Sequence, residues 1–499
     1  MHAAQPRTPV TGPEPAFSIH TAGRWSSKRR DFMRVLGAGA GLAALGQLAG
    51  CGGGDGGGVA FAATIPTAAD ALRIRLLQDE AFWTQVQGMF VLNPAKTFMN
   101  IGTAGSMPKL VLDLFDEENR AKARESASGY TDLMEQRKAL APAFGVDPDE
   151  LALSANTSSG MCHAILGLDW KSGDVVVTTN HEHVGGDTPL WIAQARYGIE
   201  VSRVELPVGN AQRASDYADL FEQRILELRN AGKRVRAMMW SSPTYKTGTM
   251  LPIEELMAVV RKHELISIVD GAHLPGMMHY DYARLGMDFM SGAGHKWQCG
   301  PGSTGILIVR NKIRAASNPL PLPTWYPVHT SSFAKPMARS TNQTATYDIA
   351  AQVSVCGSMH LPLWNALVKA GQLWDQVGRK KIETYDLTLA SYLKERIAEK
   401  WGVDRLYSPK DDPKLLSAIT SFNPFVNPAD IGNKEKSASF VARLMSDHAP
   451  GFLIRNVDVP VIGSEARHWV VRVSTHLWAD AADIDRLVDA MWATSRAMA

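Results

Sequence analysis

Between about residues 93 and 311 the chain alternates short apolar runs with amphipathic stretches, and this alternation constrains the fold more than any other feature. The runs fall at 151–154, 175–179, 201–206, 235–240, 265–269 and 305–309, with helix-period patterns between them such as 217–228 and 253–263. Short runs without polar alternation suit strands covered on both faces, and helices between them supply the crossovers of βαβ units. The expected fold class is therefore α/β, a mainly parallel sheet flanked by helices. A Pro-rich passage at 319–327 interrupts the alternation. Beyond Leu363 helical patterns dominate, with strand candidates at 418–423 and 469–474, which predicts a smaller α+β domain.

Charge and cysteine content narrow the partners. Fifty-two basic against 50 acidic side chains leave a formal charge of +2 without a long like-charge block, so nucleic acid is not expected and a small-molecule substrate is. Four cysteines, Cys51, Cys162, Cys299 and Cys356, are too few for a disulfide framework and lack metal or redox spacing.

The N-terminus reads as an address. Arg29-Arg30 and the Gly/Ala/Leu run from Val35 to Ala49 form a charged region and an apolar region too short and glycine-rich to span a bilayer permanently. The arginine pair resembles a twin-arginine export signal, the route for proteins that fold before crossing. Leu48-Ala49-Gly50-Cys51 resembles a bacterial lipobox, which makes Cys51 the expected lipidation site. The alternative is cleavage at Ala60-Phe61-Ala62, with Cys51 discarded. Residues 1–51 are thus expected to be the signal, 52–66 a Gly-rich tether and 67–97 an N-terminal helical segment. The large domain follows at 98–330, a connecting segment at 331–362 and the small domain at 363–499.

Ligands of an open α/β sheet sit beyond the carboxyl ends of its strands, so polar residues that terminate apolar runs are the candidates. One run ends in Asp270-Gly271-Ala272-His273, and Gly294-His295-Lys296-Trp297 puts a lysine in a small-residue turn. Alone, the aspartate reads as a helix cap and the lysine as a surface charge. Together they supply the amine and the carboxylate that pyridoxal 5′-phosphate requires, one for a Schiff base and the other to keep the pyridine nitrogen protonated.

On Val269-Asp270-Gly271-Ala272-His273-Leu274-Pro275-Gly276 and Gly294-His295-Lys296-Trp297 the chain resembles the class V aminotransferase family of fold-type I pyridoxal-phosphate enzymes, and within it the isopenicillin N epimerase-like branch. The resemblance, from roughly Phe98 to Met491, implies that Lys296 is the Schiff-base lysine and proton shuttle, that Asp270 pairs with the pyridine nitrogen and that His273 lies near the ring hydroxyl. It implies a phosphate cup at Ala155-Asn156-Thr157-Ser158-Ser159, with Thr157, Ser158 and Ser159 as contacts; the bare sequence reads there only as a helix N-cap. By the same resemblance His183 stacks on the cofactor ring, and His295 and Thr244 contribute to its binding. Thr341 and Asn342 reach the phosphate of a neighbouring subunit's cofactor, and Arg472 forks onto the substrate carboxylate. His181 and His183, two apart in a loop, make a poor metal motif, and no metal is expected. A homodimer is expected, since fold-type I enzymes build each site across a two-fold axis.

Two departures from the family qualify the activity. Relatives that act as desulfurases need a mobile cysteine on the loop upstream of the C-terminal arginine, and 452–468 contains none; Cys356 lies upstream in an apolar context that predicts a buried structural thiol. His476-Leu477-Trp478-Ala479 replaces the family's common Tyr-Asn, so the acceptor side of the pocket is expected to differ. The resemblance implies epimerase-like or aminotransferase-like chemistry on an amino-acid or peptide-derived amine. Alternatives are periplasmic tailoring of a secreted peptide product such as a siderophore, and C–S or β-elimination; a lipid-tethered binding protein without turnover is disfavoured because binding needs no covalent amine.

Overall fold

The structure is a computed structural model that describes residues 79–326, 328 and 348–499. The signal, the tether, Cys51, Thr341 and Asn342 lie outside the described residues.

Seven strands form the principal sheet in the order β2-β8-β7-β6-β5-β3-β4. They are β2 (Leu151–Ser154), β3 (Asp174–Thr179), β4 (Glu200–Val204), β5 (Arg234–Ser241), β6 (Ile266–Asp270), β7 (Phe289–Ala293) and β8 (Gly305–Val309), preceded in the chain by the short β1 (Lys96–Phe98). The pairs β3–β4, β3–β5, β5–β6 and β6–β7 are parallel, while β8 runs antiparallel to both neighbours. The α/β class with a mostly parallel sheet is as expected. All residues of β2, β3, β7 and β8 are buried, as covered strands require. A core of Met161, Ile165, Val176, Met239, Ile268, Phe289 and Leu307 joins the sheet to its helices.

The apolar runs anticipate six of these strands to within a residue or two at each end, but β7 is not among them. Its small residues have a packing cause. A Cβ on Gly160, in the helix Thr157–Leu166, would stand 2.1 Å from Ser291 Oγ, and that hydroxyl donates to the Thr157 carbonyl at 2.9 Å. The helix approaches β7 too closely for the β-branched residues that signal a strand. At the amino ends of β6 and β7, away from the site, Arg310 grips Asp288 (NH2 to Oδ1, 2.6 Å) while Asp288 Oδ2 accepts from Ser267 N and Oγ, both 2.9 Å. These buried bonds pin β6, β7 and β8, the strands that deliver Asp270 and Lys296.

The C-terminal part builds a second sheet, β11-β12-β9, from β9 (Ile419–Phe422), β11 (Arg455–Pro460) and β12 (Arg467–Ser474), all antiparallel. The short β10 (Gly451–Leu453) pairs in parallel with β1. Helices at Leu361–Val377, Arg379–Trp401, Lys434–Ser446 and Ala481–Ala497 account for the helical patterns beyond Leu363. The last is capped by a reciprocal Asp480/Asp483 box. Among the described residues no helix is long and apolar enough to cross a membrane.

Two readings need correction. Cys356 is exposed, because it lies two residues past the end of helix Ile349–Ser354 rather than inside the apolar layer. His476, Leu477, Trp478 and Ala479 do not line the pocket: β12 ends at Ser474 and the chain turns inward, where His476 Nδ1 meets Asp386 Oδ2 at 2.9 Å with both side chains fully buried.

Candidate active site

One cavity of about 570 Å³ opens between the carboxyl ends of the principal sheet and the β11–β12 hairpin. Its lining includes Lys296, Asp270, His183, His295, Thr157, Ser158 and Arg472 among the residues singled out from sequence. Ser159, Thr244 and His273 are not on its wall.

Lys296 lies three residues beyond β7 in a turn held from both sides. Gly294 N donates to Thr304 O (2.9 Å), Gly300 N to Gly294 O (2.8 Å), and Gly105 N to His295 O (2.8 Å). A Cβ on Gly105 would come within 2.2 Å of the Lys296 carbonyl oxygen, so only glycine permits this approach. Cys299 and Ser303 take left-handed backbone angles, φ 52° and 61°, in the same segment. Burial lowers the Lys296 amine to about 8 and the Arg472 and Arg455 guanidinia push the same way; Asp270 opposes them.

Asp270 ends β6, is 3% exposed and accepts from Ala272 N–H at 3.0 Å. Burial raises its carboxyl, while that N–H and Lys296 favour the charged form. His183 caps the helix Val184–Tyr197, its Nδ1 accepting from Gly185 N–H at 3.0 Å, and its ring stands edge-on to Tyr245 with centroids 5.0 Å apart. Partial burial, then the cations Lys296, Arg455, Arg472 and Lys246, hold its imidazole neutral down to about 4. His295 directs Nδ1 at the Thr304 carbonyl, 3.2 Å away, and burial lowers its pKa.

His273 is buried behind this group. Trp297 Nε1–H donates to His273 Nδ1 at 3.1 Å, so a neutral ring carries its proton on Nε2, a buried atom without a partner. Burial, then Lys296 and Arg472, push this imidazole well below its ordinary value.

The helix Thr157–Leu166 points its N-terminus at the cavity. Asn156 Oδ1 caps the helix by accepting the Ser159 backbone N–H at 2.9 Å. The Thr157 hydroxyl is buried without a partner, and Ser158 is exposed on the cavity wall. Thr244, fully buried, shares a hydroxyl bond with Thr247 (2.8 Å) instead.

The opposite wall is cationic. Arg472 is 2% exposed; its NH1 donates to Tyr245 O (2.9 Å), its NH2 makes long contacts to Asn100 Oδ1 and Thr103 Oγ1 (3.3 and 3.4 Å), and its Nε has no partner. No carboxylate lies within ion-pair distance among the described residues. Burial, then Arg455, lower this guanidinium to about 9, as expected of a buried charge beside a second cation.

Sequence reasoning missed Tyr245, Arg455, Asn456, Val457, Asp458 and Trp469 on this wall. The signal was present in the alternation of Val457 and Val459 around Asp458, opposite the strand that holds Arg472, which marks a hairpin rather than a loop. Glu182 was missed too. It is 5% exposed, accepts from Thr179 Oγ1 and Ser241 Oγ (2.5 Å each), and burial pushes it up to about 8, with Asp270 adding to the shift.

Comparison with known proteins shows the family and the fold. The family model described as aminotransferase class-V matches residues 106–487. Isopenicillin N epimerase of Streptomyces clavuligerus is 23% identical over 82% of this chain and 98% of its own length. A probable cysteine desulfurase of Pyrococcus abyssi is 25% identical over 77% of this chain and 90% of that protein. Among solved structures, the cystine C–S lyase C-DES in complex with cysteine persulfide superposes with a TM-score of 0.63 at 21% identity, covering 80% of this chain and 97% of that one.

Proposed function

The chain belongs to the aminotransferase class-V family, and from that premise we propose epimerase-like or aminotransferase-like turnover of an amino-acid or peptide-derived amine, with Lys296 as the residue that carries the cofactor. The cofactor of this fold-type I enzyme is pyridoxal 5′-phosphate. The residues present fit it. A buried hydroxyl without a partner, Thr157 Oγ1, stands at a helix N-terminus suited to a phosphate, and His273 Nε2 is a buried donor without an acceptor. Gly185 leaves room beside that terminus, since a Cβ there would stand 2.3 Å from Ser158 Oγ.

When bound, the cofactor supplies an electron sink for the pair left at a substrate carbon after proton loss. The chain's own residues do the rest. Lys296 Nζ, whose value lowered to about 8 leaves it a neutral fraction near physiological pH, accepts a proton from the substrate α-carbon and returns it. Asp270 keeps a carboxylate at the floor of the cavity. Arg472 fixes the substrate by its carboxylate, and the hairpin wall screens the reacting carbon from water.

The observation that carries this reading is Arg472, a buried guanidinium without a carboxylate partner, facing the same cavity as Lys296. The test is α-proton exchange in D₂O, followed by NMR on the loaded enzyme with a panel of amino acids. Exchange with inversion supports epimerisation, and appearance of an oxo acid supports transamination. Absence of exchange across amino acids and short peptides would refute the reading.

A lyase reading is compatible with the site. Among the described residues no cysteine lines the cavity, and elimination, unlike a desulfurase-type sulfur relay, needs no such nucleophile; release of ammonia and a thiol in the same assay would select it. Export by the twin-arginine route to the periplasm, with a lipid anchor at Cys51 and tailoring of a secreted peptide product, remains part of the proposal and rests on the N-terminal sequence. Metabolic labelling with a fatty acid that persists in Cys51→Ala would refute the anchor. A homodimer is proposed as well, supported by Val184 and Trp191, 56% and 52% exposed on one helix; sedimentation of the soluble form as a monomer would refute it.

A further inference from the structure

The hairpin wall carries more positive charge than one substrate carboxylate can use. Arg455 on β11 and Arg472 on β12 are directly opposite each other in the antiparallel register, and both line the cavity. Their guanidinium groups converge: Arg455 NH1 and Arg472 NH2 each stand 3.4 Å from the single Thr103 hydroxyl oxygen. Like charges placed opposite on neighbouring strands destabilise a sheet unless an anion lies between or beside them.

The cavity's own carboxylates do not meet this demand. Asp458 is held by Lys246 Nζ at 3.1 Å and by Arg467 NH1 at 3.0 Å. Asp270 sits at the end of β6, where its charge interacts with Lys296. Among the described residues Arg455 has only the Asn456 carbonyl (3.3 Å) and the distant Thr103 hydroxyl as hydrogen-bond partners. The two arginines also differ in depth, for Arg472 is buried and Arg455 exposed at the rim.

From this arrangement we infer that the substrate carries a second carboxylate, distal to the one bound by Arg472, and that Arg455 is the specificity-determining residue that receives it. The substrate class is then a dicarboxylic amino acid or a peptide-like amine with two carboxylates. The inference rests on the proposed function, since it takes Arg472 as the anchor beside the reacting carbon. Because Arg455 keeps solvent contact, its contribution is that of one screened, charge-assisted contact, roughly ten-fold in affinity.

The test uses the loaded full-length enzyme and the change in its visible absorption on titration with amino acids of matched carbon chain. Aspartate, glutamate, 2-aminoadipate and 2-aminopimelate are set against 2-aminobutyrate, norvaline, norleucine and 2-aminoheptanoate, in both enantiomers. At one chain length the dicarboxylate should bind roughly ten-fold more tightly than its uncharged partner, and the ratio should shrink with added salt. In Arg455→Gln the ratio should fall toward one, and Arg455→Lys should restore part of it. Equal affinities at every chain length in the wild type overturn the inference alone, as does a ratio that survives in Arg455→Gln; either means that both arginines serve one carboxylate or that Arg455 is merely solvated. If no amino acid perturbs the spectrum, the proposed function falls and the second carboxylate with it.

Discussion

The two walls of the cavity are built on opposite principles. On the sheet wall the reacting groups are held by the backbone: Asp270 by Ala272 N–H, His183 by Gly185 N–H, and the Lys296 turn by the Gly105–His295 and Gly294–Thr304 bonds, while Thr157 Oγ1 and His273 Nε2 are left for the cofactor. On the hairpin wall Arg472 has one full bond, from NH1 to the Tyr245 carbonyl at 2.9 Å, its other contacts and those of Arg455 are 3.3 Å or longer, and Arg472 Nε holds none. Groups that perform chemistry gain from being fixed in advance, because misplacement of an ångström costs rate. Groups that receive a charged ligand gain from being left unpaired, because the ligand then completes a site that is unfavourable without it. The sheet wall should therefore set the reaction class, and the hairpin wall should select the substrate.

The largest expected effect breaks the sheet wall. Lys296→Ala should reduce turnover by about 10³-fold or more and abolish covalent retention of the cofactor, read by rate assay and by mass. Asp270→Asn should leave covalent retention intact and cost about 10²-fold in kcat, separating attachment from electron withdrawal. On the other wall, Arg472→Gln should weaken substrate binding roughly 10²-fold. It should also raise the thermal midpoint of the substrate-free protein. A guanidinium lowered from its ordinary value to about 9 is a charge the fold disfavours, so its removal relieves a cost. A lowered midpoint would break the contrast between pinned and unpaired walls.

pH sharpens it. The Lys296 amine is lowered to about 8 in the fold, so cofactor loading of the apoprotein should rise about ten-fold per pH unit in mildly acidic solution and level above about pH 8. Folding stability of the apoprotein should gain from this lysine as pH rises from about 8 toward the unfolded value of 10.5, because over that window the unfolded chain holds the extra proton. Chemical denaturation at two pH values, with Lys296→Met as control, measures the sign. The smallest effect belongs to Trp297→Phe, which removes the N–H that fixes the His273 tautomer. A shift in the visible absorption of the loaded protein with a few-fold loss of cofactor affinity is expected, and an unchanged spectrum would show that the tautomer does not matter.

The same contrast explains what could be read in advance. Asp270 and Lys296 were legible because each sits at the end of a covered strand or in a small-residue turn, where the local pattern is distinctive. The strand that delivers Lys296, β7, was not, because close neighbours, Gly160 against Ser291 and Pro275 against Gly292, hold it to small residues that do not signal a strand. Arg472 stood out as a charge inside an apolar strand. Arg455 did not, since its significance arises only from the register that sets it opposite Arg472, and register is a tertiary fact. His476 was misread for a related reason: its position after Arg472 suggested the pocket, whereas the end of β12 directs it into a buried pair with Asp386.

The most direct test of the account is borohydride reduction of the purified, pyridoxal-phosphate-loaded protein, with the visible spectrum recorded before and after, followed by peptide mapping. The account predicts a visible band that disappears on reduction and a pyridoxyl mass on the peptide that contains Lys296. A colourless protein that cannot be reconstituted, or a label on any other lysine, would contradict it.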